Sequence, residues 1–136
     1  MKLIRLSFLL YITVSLSACA IVNQSADHAN LGESEWKLIA IENTPTRLGG
    51  NAIIKFDEKE NEVSGVAGCN NFNASYEMIK KNLKFEEIVT TKKFCEERMD
   101  EENQIISNLN SVSRYDVKAN MLYLHGQDKL LLTYKR

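Results

Sequence analysis

From Glu35 to the C-terminus the chain alternates apolar and polar residues in short runs, interrupted once by a stretch with helical spacing. EWKLIAI (35–41), NAIIKFD (51–57) and EVSGVAG (62–68) read as strands, with Trp36, Leu38 and Ala40 expected on the inner face of the first. The polar EKEN ahead of the third is a turn signal, so the second and third predict a hairpin. SYEMI (75–79) and LKFEEIV (83–89) flank KKN as another hairpin, and SRYDVK, MLYLH and KLLLTYK, separated by AN and GQD, predict a C-terminal meander. Only 94–109 departs from period two. There Cys95, Met99, Ile105, Ile106 and Leu109 fall near helical spacing, while Glu96, Glu97, Asp100, Glu101 and Glu102 crowd the first turns, where carboxylates complement the positive end of a helix dipole. The pattern predicts an α+β fold: a curved antiparallel sheet or open (cracked) β-barrel of about seven or eight strands with one covering helix.

Ahead of Glu35 the pattern is different. Lys2 and Arg5 precede an apolar run, Leu6 to Leu16, closed by the small residues Ser17 and Ala18, which is a secretion signal too short to serve as a membrane span. Leu16, Ser17, Ala18 and Cys19 fit a bacterial lipobox, in which cleavage falls before a lipidated cysteine. The expected organisation is a lipoprotein signal peptide at 1–18, a lipidated Cys19 with a polar tether at 19–34, and one domain at 35–136. Acyl chains on Cys19 bury methylenes at about 0.8 kcal/mol each, so two or three chains attach the protein to a membrane without spanning it. The tether reaches roughly 20 Å as flexible coil. Ala20, where an aspartate would signal retention, fits sorting to the outer membrane, facing the periplasm, in a Gram-negative cell.

Composition narrows the function classes. The formal charge of −1 becomes about −3 once Lys2 and Arg5 leave with the signal peptide, and the length suits a single domain. The basic pairs Lys80/Lys81, Lys92/Lys93 and Lys135/Arg136 are scattered and make no stripe, so no nucleic-acid partner is expected. The acidic run EERMDEEN (96–103) invites a metal or acid-base reading, but it has no EF-hand spacing and an exposed acidic helix start is the simpler account. His28 and His125 lack partners at metal-ligand spacing, and a Cys69, Cys95, His125 zinc site lacks the usual clustering. No Ser-His-Asp or Cys-His arrangement follows from spacing, and no cofactor, metal or catalytic group is expected.

Three cysteines leave one without a partner. With Cys19 assigned to lipid, Cys69 and Cys95 form an even pair outside the cytosol, where a disulfide is the default. It would close a loop of about 27 residues and stabilise by roughly 3.5 kcal/mol. A reactive thiol stays open as an alternative, because Cys95 lies near a predicted helix start. Around Cys69, in GVAGCNNFNASY (65–76), Gly65 and Gly68 allow a bend or bulge. Asn70 and Asn71 tolerate left-handed backbone, and Phe72 and Tyr76 fix the segment to the core.

Trp36-x-Leu38, VSGVAGCNNFNASY, Thr91 with Cys95 four residues later, then Leu109, Val112, Tyr115 and MLYLHGQDKLLLTY resemble the META domain family, which includes the HslJ heat-shock proteins. The motif positions are Trp36, Gly65, Gly68, Asn70, Phe72, Tyr76 and Thr91. Ala74 stands where a glycine is usual and Glu96 where a proline often follows the second cysteine. The resemblance implies a cracked antiparallel barrel with a helix, similar to the small lipoproteins that escort secretins, and a link to heat or antibiotic stress without an established catalytic mechanism. Three function classes follow. The first is a non-enzymatic envelope lipoprotein that binds or escorts an envelope protein or lipid client. The second is an inhibitor of an envelope-directed hydrolase acting through the loop ENTPTRLGGN (42–51), and the third a thiol enzyme using Cys69 or Cys95. An open apolar interior would suit a lipid or peptide client, whereas a packed one moves the search to surface loops.

Overall fold

A computed structural model describes residues 31–136. The expected signal peptide, Cys19 and most of the tether lie outside the described residues. Among the described residues nine antiparallel strands and one α-helix follow in order: β1 (Trp36–Ile41), β2 (Thr44–Pro45), β3 (Ala52–Asp57), β4 (Glu62–Ala67), β5 (Asn71–Ile79), β6 (Asn82–Thr90), α1 (Met99–Asn110), β7 (Arg114–Lys118), β8 (Met121–His125) and β9 (Leu130–Lys135). Apart from β2 and β3, which both pair with β1, neighbours in sequence are neighbours in the sheet, and β9 pairs back onto β1. Eight strands thus form a ring, with β2 a two-residue addition to the edge of β1.

The ring has a seam. β6 and β7 share a single paired rung, Asn82 with Arg114. Here the chain leaves the sheet to make α1, which touches β1, β4, β6 and β9 as it lies across the mouth of the ring. The helix is amphipathic in the way its sequence requires, with Glu102, Ile105 and Leu109 buried at i, i+3 and i+7. Alternation supplies the rest of the core: Ala52, Ile54 and Phe56 of β3 and Phe72, Ala74 and Tyr76 of β5 all point inward. Trp36, Leu38, Phe72, Tyr115, Leu122, Leu124 and Tyr134, none more than 2% exposed, fill the interior. The ring is packed with side chains.

Gly65 is built into this packing. It pairs with Ile54 on one side and Phe72 on the other, and a Cβ there would sit 2.1 Å from the Ile53 carbonyl oxygen and 2.6 Å from the Phe72 ring. Only glycine lets the ring close over the strand.

Several expectations shift. The folded unit begins by Leu31 rather than Glu35: Leu31 is fully buried, its carbonyl accepts the Trp36 indole N–H at 3.0 Å, and the Gly32 amide donates to Glu58. β5 starts at Asn71, four residues before SYEMI, so half of the expected corner is strand. Gly68 takes the left-handed side of φ at 113°, while Asn70 and Asn71 do not. Left-handed non-glycine residues occur instead at turns and at a bulge: Glu42 between β1 and β2, Asn61, Lys80 and Ala119 in hairpin loops, and Glu87 on β6. The helix begins at Met99, leaving 94–98 as a connecting segment. The loop 42–51 is shortened by β2 and a 3-10 turn at Gly49–Asn51, with Leu48 buried between them.

Candidate functional site

The most connected group of polar side chains lies where the β4–β5 turn, the segment after β6 and the start of α1 meet. Gly68 turns the chain so that the Cys69 and Asn70 amides face α1, where one oxygen of Glu102, Oε2, accepts both, at 3.0 and 2.7 Å. The other oxygen, Oε1, accepts the Asn70 side-chain N–H at 2.6 Å. Asn70 continues the chain of bonds. Its Oδ1 accepts the Thr91 hydroxyl at 2.8 Å and the Lys93 amide at 2.7 Å, and its Nδ2 also donates to the Lys93 carbonyl at 3.0 Å. Thr91 Oγ1 in turn accepts the Asn71 amide, and Arg98 donates to the Gly68 carbonyl at 3.2 Å. Cys69 and Cys95 are joined by a disulfide with their Cα atoms 6.0 Å apart.

Burial explains why these residue types occur together. Glu102 and Asn70 are 5% and 2% exposed, and a carboxylate or amide so placed is costly unless its hydrogen-bonding capacity is filled. Each satisfies the other and the backbone of two loops. Chemically the group is a clamp: both sulfurs are engaged with each other, and the segment 91–95 is held by side chain, backbone and covalent bond.

A second carboxylate works in parallel. Glu101 accepts the Thr46 hydroxyl at 2.5 Å, the Arg47 amide at 3.2 Å and the Arg47 Nε at 3.0 Å, tying the 42–51 loop to the same end of the helix. Burial pushes the Glu101 carboxyl up, but the bonds from Thr46 and Arg47 and the Arg47 charge outweigh it and leave the pKa below the ordinary value.

The other motif residues have separate places. Gly65 and Phe72 make the wall described above. Trp36 and Tyr76 lie toward the β3–β4 turn, Trp36 under the Arg136 guanidinium and Tyr76 edge-on to Phe56 with its hydroxyl donating to the Asp57 carbonyl. Burial pushes the Tyr76 hydroxyl up to about 12. His125 lies on β8, paired with Arg114 and Leu130; burial, then Arg114 and Lys118, lower its pKa against the pull of Asp116. Among the described residues no three His, Cys, Asp or Glu side chains are grouped to hold a metal ion.

The sequence reading placed Glu102 on an exposed acidic face and left it out of the site. Its signal was there: Glu102 shares the i, i+3, i+7 stripe of Ile105 and Leu109, and a carboxylate on an apolar stripe needs buried partners. Phe94 opens the stretch 94–109 that departs from period two, yet it lies outside the helix. It is instead 81% exposed, next to the disulfide, at the tip of the clamped segment. A surface groove of about 820 Å³ opens beside the seam, with Leu83, Val112 and Leu131 on its floor and Ile79, Lys84 and Asp128 among its rim residues.

A META domain family model matches residues 29–136. The chain belongs to the META domain family. The match begins two residues before Leu31 and takes in every element of the ring. Solved structures share the fold. One protein solved by NMR is 24% identical with a TM-score of 0.62, covering 79% of this chain and 92% of that one. A crystal structure of a DUF4847 family protein from Bacteroides vulgatus is 11% identical with a TM-score of 0.62, covering 79% and 94%. An NMR structure of a protein from Burkholderia xenovorans is 22% identical with a TM-score of 0.57, covering 76% and 77%. Among curated proteins none matches the chain.

Proposed function

We propose that this META-domain chain is a non-enzymatic lipoprotein of the cell envelope, anchored through a lipid on Cys19. In this reading the domain is an HslJ-type binding or escort module that supports tolerance of heat or antibiotic stress. The observation that carries it is the packed interior, which leaves the surface as the place for recognition. Two further features support it: the disulfide takes up both sulfurs a thiol enzyme would need, and the polar cluster spends its hydrogen bonds on itself. An inhibitor loop at Glu42–Asn51 has less behind it, because Leu48 is turned inward and Thr46 is bound to Glu101.

Fractionation of cells carrying wild-type or Cys19→Ser protein tests the anchor. Loss of processing and of membrane attachment in the variant is expected; a variant that stays processed and membrane-bound contradicts it. For the stress role, a strain lacking the gene should grow worse at raised temperature or with envelope-active antibiotics, with wild type but not Cys19→Ser restoring growth. Equal growth of the deletion strain and wild type under both stresses overturns that half.

A further inference from the structure

The clamp holds a short surface loop whose residues are arranged as their own complement. Lys92 and Lys93 precede Phe94; Glu96 and Glu97 follow Cys95. All four charged residues are exposed, Phe94 is 81% exposed, and among the described residues none of the four charges has an ion-pair partner. We propose that residues 92–97 are the contact through which two copies of this chain associate, with Phe94 packing on its symmetry mate and the lysines of each loop facing the glutamates of the other.

Symmetry makes this arrangement specific. Two copies related by a two-fold axis through Phe94 bring their loops together antiparallel, so positions 92–93 of one meet 96–97 of the other on both sides of the axis. The charge order, two positive, an aromatic, two negative, is attractive in that orientation. In a parallel orientation it sets like charges against like, which disfavours that register.

Rigidity adds to the case. Lys93 is fixed by Asn70 through both its amide and its carbonyl, Cys95 is bonded to Cys69, and the Cys95 carbonyl accepts the Arg98 amide at 2.9 Å. An exposed loop so constrained loses little further freedom on association, and that loss is a principal cost of binding. An exposed phenylalanine on a rigid loop is also the kind of residue that anchors an interface.

Position favours contact between domains. Gly32 is bonded to Glu58 in the β3–β4 turn, whereas Cys69 lies beyond the other end of β4, about 20 Å away along a six-residue strand. The loop is therefore at the pole remote from where the N-terminal segment enters the domain. The contact is small, so the association is weak and rises with concentration. It needs no lipid; if Cys19 is anchored, confinement to a surface raises the effective concentration.

The test is sedimentation equilibrium of the full processed chain in mild detergent, from about 10 μM to about 1 mM. A shift from monomer to dimer mass is expected, with Phe94→Ala at least tenfold weaker. The pairs Lys92→Glu/Lys93→Glu and Glu96→Lys/Glu97→Lys should each weaken self-association, while an equimolar mixture of the two should pair at least as well as wild type. Gain of pairing in the mixture cannot come from misfolding. A monomer at all concentrations, a dimer indifferent to Phe94→Ala, or a mixture no better than its components overturns the proposal. Intact mass of the same samples reads the lipid on Cys19 separately.

Discussion

Glu102 of α1 takes the backbone amides of Cys69 and Asn70 on one carboxylate oxygen and the Asn70 side-chain amide on the other. Every contact it makes here is from a donor. Glu102→Gln keeps the shape but brings an NH₂ group against N–H groups, leaving a buried donor without an acceptor. A loss of about 1–3 kcal/mol in urea unfolding is expected, with an unchanged denaturant slope.

The disulfide constrains the same segment by other means. With its cysteines 26 residues apart, replacing both by alanine should cost about 3.5 kcal/mol. Intact-mass measurement after alkylation should show no label on Cys69 or Cys95 until reductant is added. The doubly substituted protein should still fold, because the Asn70 and Glu102 bonds remain.

Acid should loosen the 42–51 loop through Glu101. Its folded pKa lies below the ordinary value of 4.5, so the stability it contributes is present above about pH 4.5 and fades as pH falls through the folded value. Stability measured between about pH 6 and pH 3 should decline less steeply in Glu101→Gln than in wild type, from a lower starting point.

Two backbone positions give opposite expectations. Gly65→Ala drives a methyl group into the Ile53 carbonyl and the Phe72 ring and should cost about 3 kcal/mol or more. Ala119 sits at φ 53°, where a side chain is strained, so Ala119→Gly should stabilise by about 0.5–1 kcal/mol. Thermal unfolding of both variants reads the two signs.

Period-two alternation made the eight ring strands legible, because each strand buries one face in a shared core and shows the other to water. β2 was not, since two exposed residues carry no periodicity. The Cys69–Cys95 pairing was the default once Cys19 was expected to carry lipid and the domain to lie outside the cytosol. Asn70 was visible as a motif position and a turn former but not as a buried hub, because that role depends on Lys93, Thr91 and Glu102, which are distant in sequence and meet only when α1 closes the ring. The acidic helix start hid Glu102 among carboxylates of which Glu96, Glu97 and Asp100 are exposed, and only its place on the Ile105 and Leu109 stripe set it apart. Phe94 reads in the sequence only as the apolar start of the 94–109 stretch, because its exposure depends on the distant partners that hold the segment.

GVAGCNNFNASY and the start of α1 form one clamp, joined through Asn70 and Glu102. A double-mutant cycle between Asn70→Ala and Glu102→Ala, read by urea unfolding, tests it most directly. The clamp predicts that the two losses overlap by about 1.5 kcal/mol or more, since each substitution removes bonds the other depends on. Losses that add to within about 0.5 kcal/mol would contradict it.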